Sequence, residues 1–559
     1  MRALAELLAD KIAWLLLIAA CAVPARSQTG AAPVTVTVVD ENGIGVPAAR
    51  IVLKQPGQPD ATFTSDFAGR SSFSLQQPPP YTLQIQKPGF YETASEVTDS
   101  SLRDLRIVLH HEQIVVQQVS VTASPPGIDT TQTSDKFTMN LPEIVNIPYP
   151  TSRDIRNLLP FFPGIVQDES GQVHVVGSET WATLDTLDSF DIRSPVSGNL
   201  ALRVSADAVR SIDQESTRYP VEFGRSTGGV IALYTGMGDD RFRFNATDFL
   251  PSFQQINGIH FDKFVPRFTF SGPLVRGRAW FFDGLEVEYD NNYVSELPSG
   301  ANTNHLIRGS NLIKAQANLS PRNILAGGLL FNDYHSPYEG LSPLVPQEST
   351  VNRNTIAWLP YLRDQYSFHN GALLDYGIGV IRIRDGYEPH SGGPFEITPE
   401  IYKGSFFENL TSRSQRVEGN AALYLRPRHW QGLHNIKTGI DLDHIGFDEI
   451  VSRAPVNYLR EDGTLLRQSI FPPTAPFTRH NVEIGAYVQD RWATNRIPGL
   501  LIEPGLRFDW DEIMPSAVFA ATGRRLCATS DERPNEGLRR RRGLLRTHAT
   551  RISDTRACR

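Results

Sequence analysis

From about residue 241 onward, apolar and polar side chains alternate along segments of about ten residues, and short turns trade with long polar stretches. In Arg278–Asp290, Leu285, Val287 and Tyr289 fall on one face, and Glu286, Glu288 and Asp290 on the other. Residues 312–319 and 417–425 repeat the pattern. A period of two predicts strands with one apolar and one polar face. Turns at 273–277, 320–323, 369–371 and 495–499 alternate with long segments at 335–350, 387–412 and 451–480. Strands that are apolar outside and polar inside, with short turns at one end and long loops at the other, are the signature of a barrel that crosses a membrane. No segment after the N-terminus approaches the apolar length of a spanning helix. A barrel is the other structure that satisfies its backbone in lipid. About eleven strands fit between 241 and 513, within a barrel region of 241–515. Barrels wide enough to enclose a folded domain have about 22 strands, so if residues ahead of it fill its lumen this sheet is expected to be half of one.

Ahead of the barrel, residues 33–110 carry short alternating runs between turn signals: Val34–Val39, Ala49–Leu53 and Tyr81–Ile85. This spacing predicts a small β-sandwich, and Asn42-Gly43 reads as a hairpin turn, not as part of a calcium loop. Residues 113–124 form a strand-former stopped by Pro125-Pro126, inside a linker of 112–126. Residues 135–238 are compact and mixed α+β, with a helix expected over Ser205–Asp213 and a Gly-rich turn, Glu222–Gly229, leading into the strand Val230–Tyr234. The fold class is thus mainly β: a sandwich, an α+β domain and a partial antiparallel barrel.

Charge and cysteines sharpen this. The chain has 54 basic and 61 acidic residues; 11 Arg and 4 acidic residues lie in 524–559, so the preceding body carries 43 and 57, a net of −14. An acidic body argues against nucleic acid as a partner. The three cysteines stand at 21, 527 and 558, which leaves 28–523 without disulfide or thiolate-metal chemistry. Arg2 and Lys11 precede the apolar run 12–23, and Ala25-Arg-Ser27 supplies small residues for cleavage, so 1–27 reads as a signal peptide and the mature chain is expected to begin near Gln28. Cys21 offers the alternative of lipoprotein processing. Residues 522–559 hold no aromatic side chain and no alternating strand, unlike everything before them. Either they form a basic arm, or the reading frame shifts near codon 522 and the remaining strands are encoded in the other frame.

Several ordered motifs resemble one family. Val46-Pro-Ala-Ala49, Thr64–Arg70 and Lys87-Pro-Gly-Phe90 look like the carboxypeptidase regulatory-like domain, a transthyretin-like fold. Leu158–Ile165, Val175–Ser178, Leu187-Asp-Ser-Phe-Asp191, Ser205–Asp213 and Glu222–Gly229 follow the order of the plug in TonB-dependent outer-membrane receptors. Phe268–Phe282 resembles the first hairpin of the Oar-like receptors, and Gly485–Trp492 with Gly505–Asp509 a hairpin that recurs across these transporters. The resemblance implies import of an extracellular ligand, a TonB-type energising partner, outer-membrane lipid around the barrel and no catalytic residues or cofactor. The ligand classes it implies are glycans, metal chelates and cobalamin. It makes Val119, Ser120, Val121, Thr122 and Ala123 a TonB box, against a plain linker strand. It also makes Asp188, Asp191, Glu222, Gly224, Arg225, Gly228 and Gly229 contacts between plug and barrel, where charges must pair because isolated ones are costly. Glu286, Glu288, Asp490 and Asp509 are expected to line the lumen. Ser189 stands where the family has glycine.

The remaining chemistry is thin. Gly224-Arg-Ser-Thr-Gly228 matches a nucleophile elbow, but a strand follows it where that motif requires a helix. His110-His-Glu112 lacks a spaced fourth ligand. Two other readings stand beside the receptor: a secreted carbohydrate-binding sandwich, and a nonfunctional truncated receptor fragment.

Overall fold

The computed structural model of the chain describes residues 34–513, apart from 111–134, seven short stretches before residue 104, 149–152, 497–499 and four single positions, and also the backbone of 518–522 and 525–527. Expectations for the signal peptide, the Asn42-Gly43 turn and the TonB box lie outside the described residues.

Residues 34–110 form two packed sheets. Val34–Asp40 runs between Arg70–Phe73 and Asp104–Leu109, and the second sheet orders Ala61–Thr64, Arg50–Lys54, Tyr81–Gln86 and Thr93–Val97. Val34, Val36 and Val38 point inward with Ile51, Leu83, Ile85 and Leu109, and Thr35 and Thr37 point outward, as the alternation requires. The Thr64–Arg70 motif is a turn in which the Asp66 carboxylate accepts from Arg70 N (2.8 Å). Gly69 sits at φ +75° where a Cβ would lie 2.2 Å from Val38 O, so no other residue fits.

Residues 135–235 fold around a five-stranded mixed sheet in the order Phe190–Asp191, Thr183–Leu187, Gly229–Thr235, Val209–Thr217, Asp135–Asn140. Its short helix Leu141–Asn146 is opened by a capping box between Asn140 and Glu143. The helix expected over Ser205–Asp213 is instead one 3₁₀ turn, Ala206–Ala208, followed by the strand Val209–Thr217. Val209 and Ile212 suit either spacing. Ladders on both sides, to Gly229–Thr235 and Asp135–Asn140, decide for the strand.

Around this domain curves an antiparallel wall. Eleven strands succeed one another from Arg243–Thr247 through Arg267–Val275, Ala279–Tyr293, Thr303–Ser320, Asn323–Glu339, Val351–Ser367, Leu373–Pro389, Glu408–Tyr424, Gly432–Arg453 and Phe477–Thr494 to Gly505–Asp511, with Val518–Thr522 beside the last. Among the described residues the first and last strands do not pair with each other, so the sheet is an open part of a barrel. The tail region expected to lack strands begins with one: Arg525–Cys527 pairs with Leu500–Ile502. The strands are longer than a membrane crossing needs, up to 22 residues in Gly432–Arg453. The ends of the three long segments, 335–339, 408–412 and 477–480 among them, are therefore strand extension. Beyond it, Tyr402–Gly404, Phe395–Ile397, Val456–Leu459 and Leu465–Ser469 join two of the loops in a four-stranded sheet.

Candidate functional site: the seat of the plug

The wall's inner face is set by what the inner domain, the plug, touches. Phe282, Leu312, Leu330, Leu359, Tyr361 and Ile381 share one continuous core with the plug's Ile144, Leu158, Leu187, Phe190, Leu202 and Ile212. Outward from the same strands point exposed Leu329, Phe331, Leu362, Ile378, Ile440, Leu442 and Val488, an apolar belt. Glu286 and Glu288 face the plug, as does Asp509, which pairs with Arg507 (2.8 Å). Asp490 does not, contrary to expectation. Glu483 and Gln489 on the same strand are inward, so Asp490 faces out, where it meets His434 (2.6 Å) between Trp430 and Trp492 at the turn-side rim. An aromatic rim tolerates a paired carboxylate that the belt would not.

The Glu222–Gly229 loop reaches one flank of the wall. Arg225 Nη2 lies 2.9 Å from Asp441, and Nη1 pairs with Asp443 and, at 2.9 Å, with Glu483. Glu222 pairs with Lys437. Arg507 donates to the Glu222 carbonyl (3.0 Å) and shares Asp441 (2.8 Å), so two guanidiniums hold one carboxylate. Gly224 lies against Arg507: a Cβ there would sit 2.0 Å from Nε. Gly228 packs on Ser178, and both Thr227 N and Gly228 N donate to Ala182 O (3.0 and 2.9 Å). Gly229 starts the strand at φ +141°. Burial alone would lower the Arg225 pKa, but the three carboxylates more than offset it and hold the side chain charged. The Ser226 hydroxyl donates to Ala182 O (3.1 Å), a structural contact that ties the loop to the turn Thr180–Ala182.

The Asp188-Ser189 turn reaches the adjoining stretch of the wall, up to the strand next to the one that holds Arg225. Both residues have positive φ (48° and 82°), as a two-residue primed hairpin turn requires, and Ser189 holds that conformation without being glycine. Asp188 accepts from Lys314 (2.8 Å), Tyr361 OH (2.7 Å) and Thr235 Oγ1 (2.6 Å). Next to it, the Phe190 ring occupies a notch made by two wall glycines; a Cβ on Gly377 or Gly379 would meet it at 2.8 or 2.6 Å. Asp191 pairs with Arg193 (2.7 Å) and with Arg416 of the wall (2.9 Å), and its backbone N donates to Glu418 (2.9 Å). Burial would raise the Asp191 pKa, yet the two arginines bring it down to about 2.

Two plug side chains in the seat, Arg203 and Asp207, carry no sequence signal. Arg203 meets Glu286 (2.5 Å), Glu288 (2.7 Å) and Asp154 (3.1 Å), and Asp207 meets Arg267 (2.8 Å). The alternation at Glu286 and Glu288 announced the wall's half of the first pair, but nothing in the sequence announced the partner. A cavity of about 1180 Å³ opens between the plug sheet and the wall, lined by Lys136, Asp213, Tyr234, Asp375, Tyr424 and Lys437 among others.

Asp185, inside the plug, has its pKa pushed up to about 7, chiefly by burial. A carboxyl whose folded pKa is raised favours folding while protonated and opposes it once ionised, so plug stability should fall as pH rises from about 4 to 7. Asp185→Asn should flatten that decline and stabilise the plug at pH 8 while changing little at pH 4. Hydrogen exchange of plug amides across this range checks it, and an unchanged pH profile in the variant refutes it.

Residues 33–110 match the carboxypeptidase regulatory-like domain family. The TonB-dependent transporter Oar of Myxococcus xanthus is 25% identical over 280 residues, which are 45% of this chain and 26% of that protein. Among solved structures, the outer membrane transporter YddB from Escherichia coli is similar at a TM-score of 0.53 and 13% identity, over 69% of this chain and 58% of that one. The siderophore receptor PirA from Acinetobacter baumannii gives 0.53 and 13%, over 71% and 59%. The chain thus spans about a quarter of the curated relative and under two thirds of either structure. At this identity the likeness to YddB and PirA establishes a plug-and-barrel fold.

Proposed function

We propose that this chain, which has the plug-and-barrel fold of TonB-dependent outer-membrane receptors behind a carboxypeptidase regulatory-like domain, captures a small extracellular ligand at its loop side and imports it when the plug is displaced. It acts in the outer membrane as a transporter and not an enzyme, with the sandwich in the periplasm. The observation that carries this reading is the polar flank of the plug seat, where Glu222 and Arg225 meet Lys437, Asp441, Asp443 and Glu483. When both partners of an ion pair separate into water they regain hydration, which offsets much of the cost of parting them, whereas apolar surface that is exposed regains nothing. That flank is the one to release, while Phe282, Leu312, Leu330 and Leu359 hold the other in apolar contact. The cavity already borders the polar flank. The outward apolar belt weighs against a secreted carbohydrate-binding sandwich.

On the loop side of the plug, Arg353 lies over the rings of Tyr334 (5.3 Å) and Tyr387 (5.2 Å), and Arg308 over Tyr334 (5.3 Å). This lattice of rings and donors suits a ligand with hydroxyl or ring groups, which keeps glycan, metal chelate and cobalamin as the classes. PirA is a siderophore receptor, in line with the second.

Coupling runs through Val119–Ala123, added as a strand to a TonB-type partner. A Ser120→Cys variant should crosslink to the partner's strand in intact cells. Val121→Pro should abolish both crosslink and uptake by removing a backbone donor, with ligand binding retained. Full uptake in the proline variant would reduce the segment to a linker.

A further inference from the structure

Above the apolar belt, the outer face of the wall changes character within one residue row. Arg416 and Asp443 face the plug, so their strand neighbours Arg413, Gln415 and His444 face outward. Cross-strand register aligns Trp358, Arg382, Gln415, Gly446 and His480 in one row, and Ile356, Arg384, Arg413, Asp448 and Thr478 in the next toward the loops. The row below is Val380, Val417, His444 and Val482. Arg382, Arg384, Arg413, His444 and His480 are all exposed.

Depth fixes where this cluster sits. On the strand Phe477–Thr494, Trp492 marks the turn-side rim and His480 the loop-side row. The twelve-residue rise between them is about 40 Å along the strand. At a tilt of about 40° it is roughly 30 Å along the barrel axis, enough to cross the apolar band of about 25 Å and end in the headgroups. Arg382 stacks over Trp358 (5.3 Å), an interfacial aromatic in the same row.

Arg384 and Arg413 stand directly opposite each other across two strands. Like charges in that position, about 5 Å apart at Cβ, destabilise a sheet unless an anion lies between them. Asp448 is opposite Arg413 in register but accepts from Thr478 Oγ1 (2.9 Å), and it leaves the row net positive. Two facing guanidiniums offer the planar donor forks that phosphate oxygens accept bidentately.

We propose that Arg382, Arg384 and Arg413, flanked by His444 and His480, bind the phosphorylated headgroup of an outer-leaflet lipid. The inference rests on the outer-membrane reading above. It adds a lipid site on the outside of the wall, apart from the ligand path through the lumen.

The full chain, incubated with liposomes of phosphatidylethanolamine alone or with added bis-phosphorylated glucosamine lipid, is floated, extracted in zwitterionic detergent and weighed by native mass spectrometry. The expected result is one retained phosphorylated lipid, not displaced by inorganic phosphate. An Arg384→Gln/Arg413→Gln variant should lose affinity for it roughly tenfold or more, the weight of lost charge-assisted bonds. Arg384→Lys/Arg413→Lys should keep part of it, which separates a lost anion site from a damaged fold. Flotation with both compositions but equal retention by wild type and the glutamine variant overturns the lipid site alone. Displacement by inorganic phosphate overturns the lipid as the source of the anion. Failure to float with either composition overturns the outer-membrane reading and the site with it.

Discussion

Arg203→Leu should loosen the plug by about 3–5 kcal/mol, the cost of stripping a buried charge of its partner. Here one guanidinium serves three carboxylates: Glu286 and Glu288 on the wall, each 1% exposed, and Asp154, which also caps the helix Ile155–Leu158. Leucine replaces the stem and none of the charge, so the three buried acids lose their shared partner, and Lys263 remains beside Glu288 alone at 2.8 Å. Burial would raise the Asp154 pKa, and Arg203 is the main group that keeps it low; without Arg203 it should rise. Plug amides should then exchange about 10²–10⁴ times faster in the variant at neutral pH, and the excess should shrink in acid as the carboxylates protonate. Exchange indistinguishable from wild type at neutral pH would mean that the ion triad contributes nothing to holding the plug.

Phe190→Ala should cost a similar 3–5 kcal/mol, for a different reason. The ring is fully buried, leans on Tyr361 (5.2 Å between centroids) and fills the notch at Gly377 and Gly379. The backbone on both sides of that notch belongs to sheet ladders and cannot collapse into the void. The reciprocal change, Gly379→Val, should also unseat the plug, because its Cβ falls 2.6 Å from the ring. In the double variant the new side chain enters the space the ring has left, so the two losses should sum to more than the double variant shows. Thermal unfolding of all four proteins measures this coupling. Strict additivity would show that ring and notch do not meet.

How much of this could be read from the chain alone differs from place to place, and the differences are physical. The alternation in Arg278–Asp290 placed Glu286 and Glu288 on the plug side because a strand's period is fixed and lipid admits only one of its faces. Charge alone misleads at Asp490, because the rim of the belt also accepts a paired carboxylate; the period of its strand points it outward. Glu222 and Arg225 were legible because a Gly-rich loop presents them as a unit, whereas Arg203 sits in a featureless stretch and acquires its role only from three partners distant in sequence. At Ser205–Asp213 the local spacing was ambiguous, and only pairing with strands on both sides resolved it. The four-stranded sheet over the loops was illegible for the same reason: its strands come from two segments more than fifty residues apart.

The shared core of plug and wall bears on how such a molecule is made. Were the lumen empty, Phe282, Leu312, Leu330, Leu359 and Ile381 would form a greasy band across five successive strands on the inside of a water-filled pore. A wall assembled ahead of its plug would therefore be sticky on both surfaces and prone to capture other chains or collapse on itself. Biogenesis has to deliver the two together, with the plug acting as an internal template against which the strands are laid down.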